Sequence, residues 1–332
     1  MSIISIDKNL GVPKYKQIIQ SVEDGLEQGH LKKGDKLPSV NNIKNRFSLS
    51  RDTVFTAFSE LKKRGIIESV VGKGYYIKTE DVKITKKVFL LFDELNAFKE
   101  DLYNAFIDAF GTNFQVDIFF HHFNETIFKK LINDNVGDYN YYVIMPTNFQ
   151  NAAQVLNELP KEEVFVLDQT NVTLRDYASV FQNFEKNVFN GLKDLESYMK
   201  IYDTIVFIKS KSQQPEGILK GFNRFCEASI IRNNEILELE DCKPKKGDIY
   251  FVVDDRSLIA LIKKIQIENL VVGKDVGVIA YNDSLLKEIV EGGITTISTN
   301  FTLMGQLMAK MILDEEFVQL ENPNDIIIRN SL

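Results

Sequence analysis

The stretch Ser48-Leu49-Ser50-Arg51-Asp52-Thr53-Val54-Phe55 decides how the first eighty residues of this 332-residue chain are read. Ser50 has the side chain of a helix N-cap, and Val54, Ala57, Phe58 and Leu61 then recur at the spacing that buries one face of a helix. Working backward, Leu37-Pro38-Ser39 supplies a second N-cap ahead of Val40, Ile43 and Phe47. Two short helices three or four residues apart are the pattern of a helix-turn-helix. Before them, Tyr15, Ile18, Ile19, Val22 and Leu26 trace an amphipathic helix that Pro13 introduces. Working forward, Gly65 ends the third helix, and residues 66–71 and 75–77 read as two strands around Gly72-Lys73-Gly74, a wing.

The outer face of the third helix carries Arg51, Asp52, Phe55, Ser59, Lys62 and Lys63. The first turn of such a helix enters a major groove. Arg51 has the forked donors that read guanine or clamp a phosphate, and Thr53 adds a hydroxyl. Glycines let the wing tip approach a backbone closely, where Lys73 brings a cation. Charge follows the same division. Residues 1–79 carry 14 Lys and Arg against 8 Asp and Glu, a net of +6; the remaining residues carry 26 against 39, a net of −13. A basic head on an acidic body suits a protein of which only one part holds phosphates.

Composition excludes several classes. Hydrophobic residues make up 44% and charged residues 26%, the profile of a globular chain. No apolar run spans a bilayer and the N-terminus lacks a signal-peptide pattern, so no membrane association and a cytoplasmic location are expected. Cys226 and Cys242 are the only cysteines and fit structural thiols; with His30, His121 and His122 they give no zinc spacing, and no metal or cofactor is expected.

The polar segment 79–87 reads as a linker, which sets a DNA-binding domain at 1–78 and a larger domain at 88–332. Strands are expected at 88–92, 115–120, 141–145, 164–167, 204–208, 249–253 and 276–280, with helices at 102–110, 189–199, 258–266 and 304–313. This alternation predicts an α/β body of parallel sheets covered on both faces, with its length suiting two lobes. Ligands of such sheets bind beyond the carboxyl ends of the strands. There stand Asp93, Asn96, His121, Thr147, Asn148, Asp168, Asp254 and Asn282, with Phe98, Phe149, Phe181 and Tyr281 nearby. Amides and carboxylates beside aromatic rings suit a polyhydroxylated ligand, although each such residue also suits a helix cap or a strand end.

Leu37-Pro38-Ser39, Ser50-Arg51-Asp52-Thr53-Val54, Arg64-Gly65-Ile66-Ile67 and Gly72-Lys73-Gly74-Tyr75 resemble the DNA-binding domain of GntR-family regulators over residues 12–78. The resemblance implies DNA contacts from Ser39, Arg51, Thr53 and the Gly72–Gly74 tip; Asn41, Ser50, Asp52, Phe55 and Tyr75 share these motifs and join the candidate set. The family's Glu-Arg after Leu-Pro-Ser is Val40-Asn41 here, and its second arginine is Phe55.

Tyr250–Asp255, Leu258, Val276–Ser284, Thr295-Thr296-Ile297, Met304-Gly305-Gln306 and Lys220-Gly221-Phe222 are similar to the effector domain of LacI/GalR-family regulators and periplasmic sugar-binding proteins. This implies a bilobed, periplasmic-binding-protein-like fold in which Asp93, Asn96, Phe98, Asn183, Asp254, Asn282 and Thr299 face a sugar. The family's arginine is Ile218 here and its glutamine is Thr299, which points to a smaller or less polar sugar. The two resemblances in this order match arabinose-type repressors and imply a homodimer that binds operator DNA under control of a small sugar. Two other readings stay open: an α/β enzyme, for which the chain has no nucleophile elbow, GxGxxG or Walker loop, and a sugar-sensing scaffold whose winged helix does not hold DNA.

Overall fold

The computed structural model describes residues 3–8, 10–79, 86–111, 114–211, 214–229, 231 and 233–332. Three helices open the chain: α1 (Lys14–Glu27), α2 (Val40–Phe47) and α3 (Arg51–Lys63), followed by strands β1 (Ile67–Val70) and β2 (Gly74–Ile77). Next come β3 (Lys86–Phe92), α4 (Ala97–Phe110), β4 (Phe114–Phe120), α5 (Glu125–Asp134), β5 (Tyr141–Ile144), α6 (Ala152–Leu156), β6 (Val164–Asp168) and β7 (Ala178–Phe181). The remainder holds α7 (Phe184–Leu195), β8 (Thr204–Lys209), α8 (Glu216–Ala228), β9 (Asn233–Glu238), β10 (Asp248–Val252), α9 (Asp255–Ile267), β11 (Gly277–Tyr281), α10 (Leu285–Ile289), β12 (Thr295–Thr299), α11 (Phe301–Leu313), β13 (Gln319–Glu321) and β14 (Asn324–Ile327). The strands form the two-stranded wing, a sheet ordered β13-β7-β6-β5-β3-β4 and a sheet ordered β14-β12-β11-β10-β8-β9. Two compact units result: Met1–Glu94 with Phe110–Phe165 and Val172–Tyr177, and Leu95–Ala109 with Val166–Asn171 and Ala178–Leu332.

The head of the first unit folds as its caps dictate. The Ser39 hydroxyl accepts the Asn42 N–H at 3.2 Å and starts α2; Ser48, at φ 56°, turns the chain out of it. Ser50 accepts the Thr53 N–H at 3.0 Å and starts α3. Ile18, Val22, Leu37, Ile43, Val54, Phe58 and Leu61 close a single core beneath the three helices. Each such side chain removed from water contributes on the order of 1.5–3 kcal/mol. The wing pairs Glu68 with Tyr76 and Val70 with Gly74, and its turn closes through the Lys73 N–H and Val70 carbonyl at 3.0 Å. Gly72 there has φ 72°, a conformation that a Cβ disfavours.

In the same unit β3 lies parallel to β4 and β5, with Leu90 beside Ile118 and Val143. β3 begins at Lys86, so two residues of the expected linker belong to a strand; residues 80–85 of that linker lie outside the described residues. α5 has no counterpart in the sequence reading, although Asn124 caps it and Phe128 and Ile132 are buried.

In the second unit β8, β10, β11 and β12 run parallel and β14 closes the edge antiparallel to β12, with Ile297 opposite Ile326. One face of this sheet packs Val188, Leu192, Phe222 and Phe251; the other packs Tyr250, Leu258, Leu261 and Val278. The Lys220-Gly221-Phe222 motif is a packing device. A Cβ on Gly221 would lie 2.5 Å from the Glu185 carbonyl, so glycine lets α8 approach the α7 backbone, while Phe222 enters the core. Strand β12 escaped the sequence reading because Thr295, Thr296, Ser298 and Thr299 carry no apolar signal; they are buried polar residues held by partners such as the Arg329 carbonyl, which accepts from the Thr295 hydroxyl at 3.1 Å. β7, β9, β13 and β14 were likewise not foreseen; β13 has only three residues, two of them exposed.

Candidate DNA-binding head and effector face

On the head, Arg51, Asp52 and Phe55 are exposed on the first two turns of α3, with Thr53 half-buried. The hydroxyls of Ser50 and Thr53 bond each other at 2.7 Å, so both serve the cap that orients this turn. Ser39 and Asn41 are exposed at the start of α2, and Lys73 is exposed on the wing beside Val71, which is 99% exposed. Tyr75 is different. Its ring packs edge-on to Phe58 at 4.7 Å and is half-buried, which gives it a place in the core. Two exposed cations went unremarked in the sequence: Arg46, stacked over Phe47 at 5.3 Å, and Lys36, over the ring of Tyr76 at 5.8 Å. Arg64 of the motif is occupied internally, bonding Glu60 at 2.9 Å and Glu23 at 3.0 Å. The Arg64 hydrogen bond holds the Glu60 carboxyl below its ordinary range, whereas burial lifts Glu23 above it against the opposing pull of Arg64.

The strand ends of the first unit carry Asp93, His121, Thr147 and Asn148. Asp93 is buried and accepts the Glu94 N–H at 2.7 Å. His121 is fully buried among Phe123, Phe128 and Phe149, with Nε2 bonded to the Met145 carbonyl at 3.0 Å, the setting of a core side chain. Asn148 is exposed. Thr147 combines three features: a φ of 50°, rare for a β-branched residue, 5% exposure, and a buried hydroxyl bonded to no described residue. Strain and an orphaned polar atom together mark functional positions more often than ordinary turns.

In the second unit four strand ends meet. Gln182, just beyond β7, donates from Nε2 to Asp168 at the end of β6, and its Oε1 accepts the hydroxyls of Thr299, at the end of β12, and of Tyr281, the latter at 3.2 Å. Asn282 Oδ1 accepts the Thr299 N–H at 3.3 Å. Burial pushes the Tyr281 phenol well above its ordinary pKa, so it remains a donor. Asp168 and Asn282 both adopt left-handed backbone, φ 71° and 57°, which Asp and Asn tolerate better than most residues. Beside them, Asp283 is held by Arg329 through two bonds of 2.7 Å, and that pairing lowers its pKa despite the opposing effect of burial.

The other candidates act as caps. Asp254 accepts the Ser257 N–H at 2.9 Å and hydroxyl at 2.7 Å, Asn183 accepts the Lys186 N–H, and Asn96 accepts the Lys99 N–H. Phe98 stacks on Phe301 at 4.9 Å. Sequence reasoning missed Gln182, Thr170 and Ser284; the hydroxyls of the latter two are buried without a described partner, beyond the ends of β6 and β11. It also looked for an arginine at 218, but Ile218 is 2% exposed and belongs to the core. Where the glutamine is absent, the Thr299 hydroxyl donates to the Gln182 amide oxygen, which reaches it from another strand. Among the described residues no cluster of three metal-ligating side chains occurs, and no helix is long and apolar enough to cross a membrane.

A capped helix-turn-helix with a cationic wing, on a chain whose body carries polar strand ends, defines a DNA-binding regulator of transcription with an α/β body. The profile of the bacterial regulatory proteins of the gntR family matches residues 14–77, and that of the periplasmic binding protein-like domain matches residues 202–324. The HTH-type transcriptional repressor YtrA of Bacillus subtilis (strain 168) is 38% identical over 107 residues, 32% of this chain and 78% of that protein. The arabinose metabolism transcriptional repressor of Geobacillus stearothermophilus is 36% identical over 70 residues, 21% of this chain but only 19% of its own length. Among solved structures, a LacI family transcriptional regulator from Silicibacter pomeroyi aligns with a TM-score of 0.62 at 13% identity, covering 74% of this chain and 98% of that one. The lactose repressor bound to an anti-inducer aligns with a TM-score of 0.62 at 16% identity, covering 74% and 99%. These structural likenesses establish the fold. The chain belongs to the GntR family of bacterial regulatory proteins, and its relatives are regulators, not enzymes.

Proposed function

We propose that this regulator is a cytoplasmic, homodimeric repressor whose head, residues 1–78, holds operator DNA and whose body, residues 88–332, binds a small sugar. The observation that carries the sugar reading is Thr147, a strained and buried threonine whose hydroxyl has no described partner at a strand end. Thr170 and Ser284 each add a buried hydroxyl without a described partner beyond two other strands, and the Asp168-Gln182-Thr299 network adds carboxylate, amide and hydroxyl groups. Orphaned hydroxyls in buried settings cost free energy unless a ligand meets them, and sugar hydroxyls both donate and accept. On the second unit the proposed contacts are Asn96, Phe98, Asp168, Asn183, Asp254, Asn282 and Thr299; on the first they are Asp93, Thr147 and Asn148, His121 being taken up by its aromatic core. The name of the Geobacillus relative agrees with a sugar effector.

On the head we assign DNA contact to Ser39, Asn41, Ser50, Arg51, Asp52, Thr53, Phe55, Gly72, Lys73, Gly74 and Tyr75, the last through its backbone. Homodimer formation has a physical reason in the second unit, where Ile267, Leu285 and Ile289 stand 75–79% exposed on α9 and α10. A head tied to the first unit by more than its linker is also suited to coupling: Lys16 of α1 pairs with Asp138 at 2.6 Å and donates to the Val136 carbonyl at 3.1 Å.

A thermal-shift screen of monosaccharides tests the reading, because a ligand of the native state raises Tm. Linkage then requires operator DNA to change sugar affinity by the factor by which sugar changes DNA affinity. A sugar that binds with the same Kd in the presence and absence of operator would sink the repressor mechanism; a screen with no hit would sink the sugar.

A further inference from the structure

We propose that Lys287 is a positioning residue for the effector face of the second unit, clamping the segment after β11 to the start of α9 so that Asn282 and Asp254 stay in register. The inference deepens the effector reading and rests on it. Lys287 lies on α10 and is 1% exposed. Lysine is almost never buried to this extent unless its charge and donors are met. Here the charge is paired and two of its donors are met. The ammonium donates to the Asn282 carbonyl at 2.6 Å and to the Tyr281 carbonyl at 3.2 Å, and it forms an ion pair with Asp255 Oδ1 at 2.8 Å.

The identity of those oxygens gives the residue its role. The Tyr281 and Asn282 carbonyls belong to the two peptide groups that flank the Asn282 Cα, so fixing both fixes the φ and ψ of Asn282. That residue needs fixing, because it adopts φ 57°. In this conformation its Oδ1 accepts the Thr299 N–H, joining the end of β11 to the end of β12. The third oxygen belongs to Asp255, next to Asp254, whose carboxylate caps α9 through Ser257. One buried cation therefore ties together segments from β10 and β11, while the β12 end follows through Asn282. A lysine acting only as a source of stability could pair with any carboxylate; this one holds the backbone of a candidate ligand residue.

Hydrogen exchange on the full, unliganded chain tests the positioning without an identified effector. Lys287→Met should accelerate exchange in peptides covering residues 281–284 and 296–300 by about ten-fold or more, as expected when a local restraint is lost, with β5 and β8 unchanged. Asp255→Asn keeps both carbonyl bonds, so it should loosen residues 254–257 and affect 281–284 less; it also carries the test if the methionine variant does not fold. Unchanged exchange at 281–284, or a uniform rise throughout the second unit, overturns the proposal. A separate arm measures the thermal shift with L-arabinose and D-xylose. A shift in the wild type that Lys287→Met abolishes supports the link to the ligand, and an equal shift in both overturns it. No shift with any monosaccharide in the wild type removes the sugar reading and leaves exchange to decide what Lys287 holds.

Discussion

The head and the body keep their candidate side chains in opposite states. Arg51 and Lys73 stand in solvent on a capped helix and a glycine turn, whereas Asp168, Gln182 and Thr299 are 4–6% exposed and bonded to one another. The difference follows from the ligands proposed for them. DNA presents a dense row of phosphates, and much of its affinity comes from counterion release, so exposed cations on a rigid element suffice. A small neutral ligand must exchange well-hydrated hydroxyls for protein partners, which requires groups already oriented and shielded from water. The head is thus organised by its caps, and the body by a buried polar network.

The largest expected effect breaks the head alone. Reversing both Arg51→Glu and Lys73→Glu should lower affinity for an operator selected from random duplexes by more than about 100-fold, since each lost phosphate contact also removes close to one unit from the salt slope. The body's melting temperature should not move, because neither side chain enters a core. Retention of operator binding by the double variant would put the DNA surface elsewhere on the head.

A smaller effect probes the body. Gln182→Leu leaves Asp168 without its amide donor and removes the acceptor shared by the Thr299 and Tyr281 hydroxyls. Leaving such groups unsatisfied should cost about 2–3 kcal/mol, read as a lower urea midpoint with an unaltered m-value, while DNA affinity in the absence of sugar stays the same. A neutral Gln182→Leu would mean that water already satisfies these groups.

The same contrast governs what could be read from the residues. In the head each signal is local: Ser39 and Ser50 cap helices within three residues, and Gly72 turns the wing where it stands. In the body, the periodicity of residues 204–208 and 249–253 announces strands, and the rule of strand ends picks out Asp168 and Asn282. Other bonds that hold this face together come from far away in sequence. Gln182 reaches Thr299 across 117 positions, Asp283 meets Arg329 across 46, and no short pattern encodes such pairs. Strand β12, rich in threonine, was hidden for a related reason, since its burial depends on partners rather than on apolar side chains. The strand-end rule also overreached at His121, where an aromatic core absorbs the ring.

The smallest predicted effect concerns the border between head and body. Glu163, half-buried just before β6, has its pKa raised to about 8, chiefly by burial, with further contributions from Glu162 and from Asp24 of the head helix α1. Burial lifts Asp24 as well, although the Gln20 amide, 2.7 Å away, pulls the other way. A carboxyl with a raised native pKa binds more protons folded than unfolded between its ordinary value, near 4.5, and about 8. Stability is therefore lost as pH rises through that window. Glu163→Gln should flatten the fall in Tm between pH 5 and 8, and because solvent reaches the half-buried carboxyl and screens its charge the change should stay within about 2–4 °C. Asp24→Asn should produce part of the same flattening if head and body share this electrostatic contact, and none if the head titrates by itself. Parallel Tm curves for the wild type and Glu163→Gln would show that the carboxyl is already well solvated, and would leave the Lys16–Asp138 pair as the tie to break next.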